Sequence, residues 1–274
     1  MFAHQVIEDL TRGDFPHPGL ETLRKNGIAG IRKAIHFHID DVIGTMKLCK
    51  ASGTEGIFEN TQYIRLPYKT IWVDYKTGVS NAVITKQGIL IDYVEDFKYT
   101  IETFSYVKTL SAWAISPLLS LLSINGNGVN RGKIQYRSLI ALSEKASKDY
   151  QEDTAITLSA LNCFLLVLNC KNITTEKIPA PDPLNKKRRK AGKQELFDYH
   201  VLNVVVPSKK RDYREASTPL SHNRVHLCRG HFKEYTAEHP LFGHYTGLYW
   251  WQPHVRGQNK DGIVMKGYNV KHTE

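Results

Sequence analysis

Cysteine is scarce, at four in 274 residues. That excludes a fold stapled by disulfides. No Cys-x-x-Cys pair exists, so a zinc site drawn from His226, Cys228, His231 and His254 would have poor ligand spacing. No apolar run reaches the ~18 to 20 residues of a spanning helix. The most apolar windows, Leu110–Ile124 and Ala155–Cys170, are interrupted by Pro117 and by Asn162 and Asn169, and both read as buried helices. The opening residues lack a secretory leader pattern. Carboxylates do not cluster: Asp40 and Asp41 are adjacent and would point apart on most backbones, while Asp198, Asp212 and Asp261 are scattered, which disfavours a two-metal nuclease. No GxSxG is present, nor an HxH set followed by Asp-His. The Gly-rich stretch after Ile124 lacks the GxxxxGK[ST] spacing of a phosphate loop. The expectation is a soluble, intracellular protein with reduced thiols, no metal and no cofactor.

What is abundant is positive charge, and it is placed unevenly. The formal net charge is +10 and the sequence pI is about 9.3. Residues 186–274 hold ten Lys and seven Arg against three Asp and five Glu, almost the whole excess. Eight of the twelve His also lie there. Such asymmetry points to a polyanionic partner for the last third of the chain.

Periodicity predicts an α+β fold, with strands and helices in runs rather than in βαβ alternation. Residues 2–50 read as helix and loop. Thr70–Tyr75, Asn81–Thr85 and Gly88–Tyr93 are rich in β-branched and aromatic residues and predict an antiparallel β-meander over 61–108, with turns at Lys-Thr-Gly and Lys-Gln-Gly. A helical middle follows: Leu110–Leu122, Tyr136–Tyr150 and Asp153–Cys170. In the last, Leu158, Leu161, Leu165 and Leu168 form an apolar stripe, and Cys163 and Cys170 face the core. Residues 1–178 form the first region. Residues 179–195 read as a linker, Pro-rich from Ile178 to Leu184 and then basic through Lys186, Lys187, Arg188, Arg189 and Lys190. Residues 196–274 form a basic, β-rich C-terminal region. Its expected strands are Leu196–Val206, Val225–Tyr235, Leu248–Gln252 and Ile263–Val270.

The two-residue strand period places Arg229, His231, Lys233 and Tyr235 on one face. Trp250, His254 and Arg256 alternate along the next strand. Together these side chains suit a phosphodiester chain. Arg grips phosphate as a fork, Lys acts as a point charge, and aromatic faces stack unpaired bases. Two imidazoles near neutral pH also offer an acid–base pair.

The string RVHLCRGHFKEYT…PLFGHYTGLYWWQPHVRG resembles the C-terminal signature of a family of phage and prophage proteins, which carry RGH, an aromatic strand and PHxRG. Leu184–Val204 and Leu66–Tyr75 are similar to segments of the same family. The resemblance implies a mobile-element or viral origin and residence in the cytoplasm of a bacterial host. It implies no activity.

Two functions from different classes are consistent with these residues. The preferred one is a phage-type protein that binds RNA or single-stranded DNA through Lys186–Lys190 and the Arg229, His231, Lys233, Tyr235, Trp250, His254 and Arg256 surface. The alternative is a metal-independent ribonuclease in which His231 and His254 are acid and base while Arg229, Lys233 and Arg256 stabilise the phosphate. A third reading is an anti-defence or host-interaction factor that docks an acidic protein.

Overall fold

The computed structural model describes residues 1–15, 17–39, 64–77, 83–95, 98–125, 128–129, 135–205, 226–228, 230–251 and 254–256. Residues 124–125, 128–129, 226–228 and 254–256 are described by backbone alone. The chain is α+β. Two helices, α1 (Ala3–Arg12) and α2 (Pro18–Lys33), precede a short strand, β1 (Ile35–His38). A meander follows: β2 (Thr70–Lys76), β3 (Ile84–Glu95), β4 (Lys98–Val107) and β5 (Ala112–Asn125). Next come β6 (Gly128–Val129), β7 (Gln135–Ser138), the long helix α3 (Glu144–Leu168) and β8 (Ile173–Ile178). Helix α4 (Asp182–Lys190) leads to β9 (Tyr199–Val204). Four short strands complete the described elements: β10 (His226–Cys228), β11 (His231–Tyr235), β12 (Gly247–Trp251) and β13 (His254–Arg256).

Nine of these strands form one mixed sheet in the order β6-β5-β4-β3-β2-β1-β9-β8, with β7 also on β5. β1 is parallel to both neighbours, β2 and β9. The remaining pairs are antiparallel. Helices cover both faces. Because successive strand residues point to opposite sides, Trp72, Leu90 and Phe104 pack under α1 and α2, and Ile71, Val73, Ile89 and Ile101 pack under α3. A strand buried on both faces reads as an unbroken apolar run, and β2 is buried from Thr70 to Tyr75. Helix α1 buries Ala3, Val6, Ile7 and Leu10, the stripe that 3.6-residue spacing brings together.

The expected meander is present, but Lys-Gln-Gly is no turn: it lies inside β3. Gly88 is needed there because a Cβ at that position would stand 2.3 Å from the Trp72 ring. Leu110–Leu122 is mostly strand β5, not helix. Pro117 sits where β5 carries extra residues against β4, between the pairs Phe104↔Ile115 and Glu102↔Leu119. The buried side of β5 also changes at this point. Trp113 and Ile115 face α1 and α2, whereas Leu122 faces α3, so the apolar pattern loses its period of two. Tyr136–Tyr150 divides into β7 and the first turns of α3, which is capped by Ser143, whose hydroxyl accepts from the Ala146 N–H. The two helices expected beyond residue 136 are thus one. Cys163 and Cys170 are buried thiols, as expected.

The Pro-rich and basic segment is not an extended linker. Pro181, Asp182 and Pro183 start α4, because proline in a first turn forfeits no hydrogen bond and its φ is already helical. Asp182 at the start and four cations in the last turn complement the helix dipole. Nor does the C-terminal region stand apart, since β9 pairs with β1 and β8 in the large sheet. The expected strand Val225–Tyr235 is two strands, β10 and β11, in separate antiparallel pairs with β13 and β12. Ile263–Val270 lies outside the described residues.

Candidate nucleic-acid interface

Helix α4 buries no residue. It is held by the turns around it. Asn185 donates from Nδ2 to the Leu196 carbonyl at 3.0 Å and accepts from the Leu196 N–H at 2.8 Å. Arg188 donates to the Gln194 carbonyl at 2.7 Å and to Glu8 of α1 at 2.6 Å, and Glu8 also accepts from the Gln194 N–H. Arg189 grips Glu195 with two bonds of 2.8 Å. This fork holds the Glu195 carboxyl below its ordinary range. The two arginines therefore fix the helix in place. Lys186, Lys187 and Lys190 are left exposed, with Lys193 just beyond. Lys186 and Lys190, four residues apart, share a helix face.

The C-terminal hairpin departs from the expected surface. The register pairs His231 with Trp251, Phe232 with Trp250 and Lys233 with Tyr249. Cross-strand partners share a face, so Trp250 lies opposite His231, Lys233 and Tyr235 rather than beside them. Trp250 is buried, packs on Phe232 at 4.6 Å between ring centroids, and joins the core beneath α3 with Leu248. Its backbone is bracketed by Asn172, which donates to the Trp250 carbonyl at 2.7 Å and accepts from the Trp250 N–H at 2.9 Å. Trp250 anchors the hairpin and is not a stacking platform. On the other face, Lys233 is exposed with its ammonium 4.8 Å from the Tyr235 ring centroid, and Tyr235 meets Tyr249 edge-on. His231 is half-buried. His254 and Arg256 belong to the other two-stranded pair, opposite Cys228 and His226. Their side chains, and Arg229 altogether, lie outside the described residues.

A second cluster was not anticipated. Asp74 is fully buried and its carboxylate meets three groups. Oδ2 accepts from the Phe2 N–H at 2.6 Å and from the Trp72 indole N–H at 2.9 Å, while Oδ1 lies 2.6 Å from Nδ1 of His38. Close, charge-assisted bonds of this kind offset the cost of burying a carboxylate. His36, two residues before His38 on β1, is buried and stacked on Phe197 at 4.3 Å, and among the described residues neither ring nitrogen has a partner at good hydrogen-bond geometry. Burial lowers its pKa to about 4. His4 of α1 is lowered to about 4 by burial and then by Arg188. The signal in the sequence was His-Phe-His, which on any strand puts both imidazoles on one face. Farther along the same side of the sheet, Glu102 is buried with Oε2 unpartnered among the described residues, and burial pushes its pKa up to about 7.

Among the described residues, no three His, Cys, Asp or Glu side chains stand close enough to hold a metal ion. No described helix is long and apolar enough to cross a membrane. No family model, curated protein or solved structure matches the chain.

Proposed function

We propose that the protein binds single-stranded nucleic acid, RNA or DNA, through phosphate contacts made by α4. The observation that carries this reading is the division of labour on that helix: Arg188 and Arg189 are tied to carboxylates, while Lys186, Lys187 and Lys190 stand exposed on a helix that buries nothing. Lysines so placed act as point charges toward phosphate and read no bases. Lys233 and Tyr235 on the hairpin form a second, smaller basic and aromatic patch. The test is fluorescence anisotropy with labelled (dT)20 and (rU)20 across a salt series. Affinity is expected to fall steeply with salt as counterions are released. The triple change Lys186→Ala, Lys187→Ala, Lys190→Ala is expected to weaken all sequences alike and flatten the slope. Absence of binding at low salt, together with capture of an acidic protein, would replace this reading with the host-interaction one.

A second reading, metal-independent RNA cleavage, is favoured by one observation. His38 is oriented by a buried carboxylate, the pairing that prepares an imidazole for proton transfer. This centre is linked to α4 through α1: the Phe2 N–H just before α1 donates to Asp74, and Glu8 of α1 accepts from Arg188. The acid–base role proposed from sequence for His231 and His254 passes to His38 on this reading. RNA cleavage in EDTA that His38→Ala abolishes and His231→Ala spares would support it. Intact RNA after incubation with the wild type would end it.

A further inference from the structure

Beneath the N-terminal half of α3, the sheet carries a cavity of about 150 Å³ that is partly open to solvent. That volume suits one six-membered ring, since an engineered cavity of about 150 Å³ takes up benzene. The floor comes from β3, β4 and β5 and the roof from Tyr150, Asp153, Thr154 and Thr157, which helical spacing puts on one face of α3. Ile84 and Val107 on the sheet side and the Tyr150 ring at the rim supply apolar surfaces for a flat ligand.

The polar lining is specific. Gln87, Thr103 and Thr154 line the cavity although each is more than nine-tenths buried. Ser105 donates to Oε1 of Gln87 at 3.1 Å, which fixes the amide and leaves its NH2 to donate. The hydroxyls of Thr103 and Thr154 can each donate or accept. Buried polar groups are normally hydrogen-bonded, so a cavity that gathers them is built for a ligand with a polar edge. Among the described residues Asp153 is the only charged one in the lining, and no Lys, Arg or His joins it. A phosphate or carboxylate ligand would meet repulsion and no counter-charge. A carboxylate at the rim instead accepts from neighbouring hydroxyls.

We propose that this cavity is a binding site for a nucleoside, with the base inserted edge-on toward Gln87, Thr103 and Thr154 and the ribose hydroxyls at Asp153. The proposal does not rest on nucleic-acid binding by α4, which docks on α1 across the sheet from α3. The test uses the full chain, calorimetry and saturation-transfer NMR, with uridine, cytidine, adenosine and guanosine as probes. At least one is expected to saturate in the millimolar range or below, with its 5′-monophosphate at least tenfold weaker. Asp153→Asn should narrow that gap. Thr154→Val, which keeps the side-chain shape, and Gln87→Leu should each weaken the nucleoside about tenfold. The triple lysine variant of α4 should bind it as wild type does, whatever its effect on polynucleotides. Failure of all four nucleosides to saturate, or equal binding of glucose, would overturn the proposal. So would unchanged affinity in Thr154→Val with an unchanged circular dichroism spectrum; that variant decides alone if Gln87→Leu does not fold.

Discussion

The two faces of the large sheet bury their side chains by different means. Under α3 the sheet presents Ile71, Val73, Ile89, Ile91 and Ile101, closed by Leu161, Phe164 and Leu165 of the helix. Under α1 and α2 it presents Trp72, Leu90 and Phe104, but also Asp74, His36 and Glu102, with His4 coming down from α1. The first face is held by area removed from water, which is indifferent to proton concentration. The second includes groups whose charge state is set by burial, so its share of the stability varies with pH. Below the alkaline range, where buried Tyr75 and Cys170 stay neutral, one sheet thus couples a pH-blind core to a pH-sensitive one.

The sharpest way to break this contrast is a large deletion on each face. Phe164→Ala should cost about 3–5 kcal/mol through the cavity it leaves. Asp74→Ala should cost a similar ~3–5 kcal/mol by stripping the partner from the Phe2 N–H, the Trp72 indole and His38. Denaturant midpoints would check both. An Asp74→Ala variant as stable as wild type would show that the carboxylate network does not hold α1 in place.

Titration comes next in size. His36 and His4 are lowered from 6.5 to about 4, so the unfolded chain takes up protons first. Their contribution is whole above pH 6.5 and is lost as pH falls toward 4. For His36 the loss is on the order of 3 kcal/mol, taking about 1.4 kcal/mol per pKa unit. Glu102 runs the other way: raised from 4.5 to about 7, it favours the fold below pH 4.5 and loses that contribution as pH rises through 7. The expected stability curve therefore falls at both ends. His36→Phe should flatten the acid limb and Glu102→Gln the neutral one, each followed by chemical unfolding from pH 4 to 8. A wild-type acid limb that persists in His36→Phe would assign the loss to other groups.

Smaller effects separate the two halves of the sheet and the two kinds of cation. Gly88→Ala should cost about 1–3 kcal/mol, because the new methyl meets the Trp72 ring. A thermal scan reads this, and a second change, Trp72→Leu, should recover part of the loss. Arg188→Ala should cost about 2 kcal/mol, since its pair with Glu8 is largely shielded. The Lys186, Lys187 and Lys190 triple should stay within about 0.5 kcal/mol of wild type, as exposed substitutions do. If the lysine triple unfolds the protein, the helix is a structural clamp and the interface lies elsewhere.

Elements were legible where period and burial agree. The meander showed because β2 and the core of β3 are rich in β-branched and aromatic residues, and β9 showed for the same reason. The apolar half of α3 carries its stripe in plain view. What stayed hidden depended on tertiary context. Strand β5 buries opposite sides in its two halves, a pattern that looks like a continuous apolar helix. Strand β1 is only four residues long, and its His-Phe-His conveys little until β2 and β9 flank it. At the candidate interface, the basic run was visible, but the split between structural arginines and exposed lysines was not, because Glu8 lies 180 residues away. The hairpin face was misassigned for Trp250 because alternation along a strand does not fix its offset from a neighbour, and only the register Phe232↔Trp250 does.

The placement of β1 between β2 and β9 also has a consequence for how the chain is made. During synthesis the ribosome delivers Ile35–His38 and then Thr70–Lys76 early, but the partner on the other side of β1, Tyr199–Val204, emerges about 160 residues later. Until then the sheet ends in an unpaired parallel edge beside His36. A pairing of such long range closes slowly, and an open edge is a template for the wrong chain. Helix α4, pinned to α1 through Arg188 and Glu8, carries the chain directly into β9. The clamp that presents the lysines thus also steers the last strand of the sheet into its slot, so a nascent chain that loses Arg188 would be exposed to misassembly for longer than its folded stability implies.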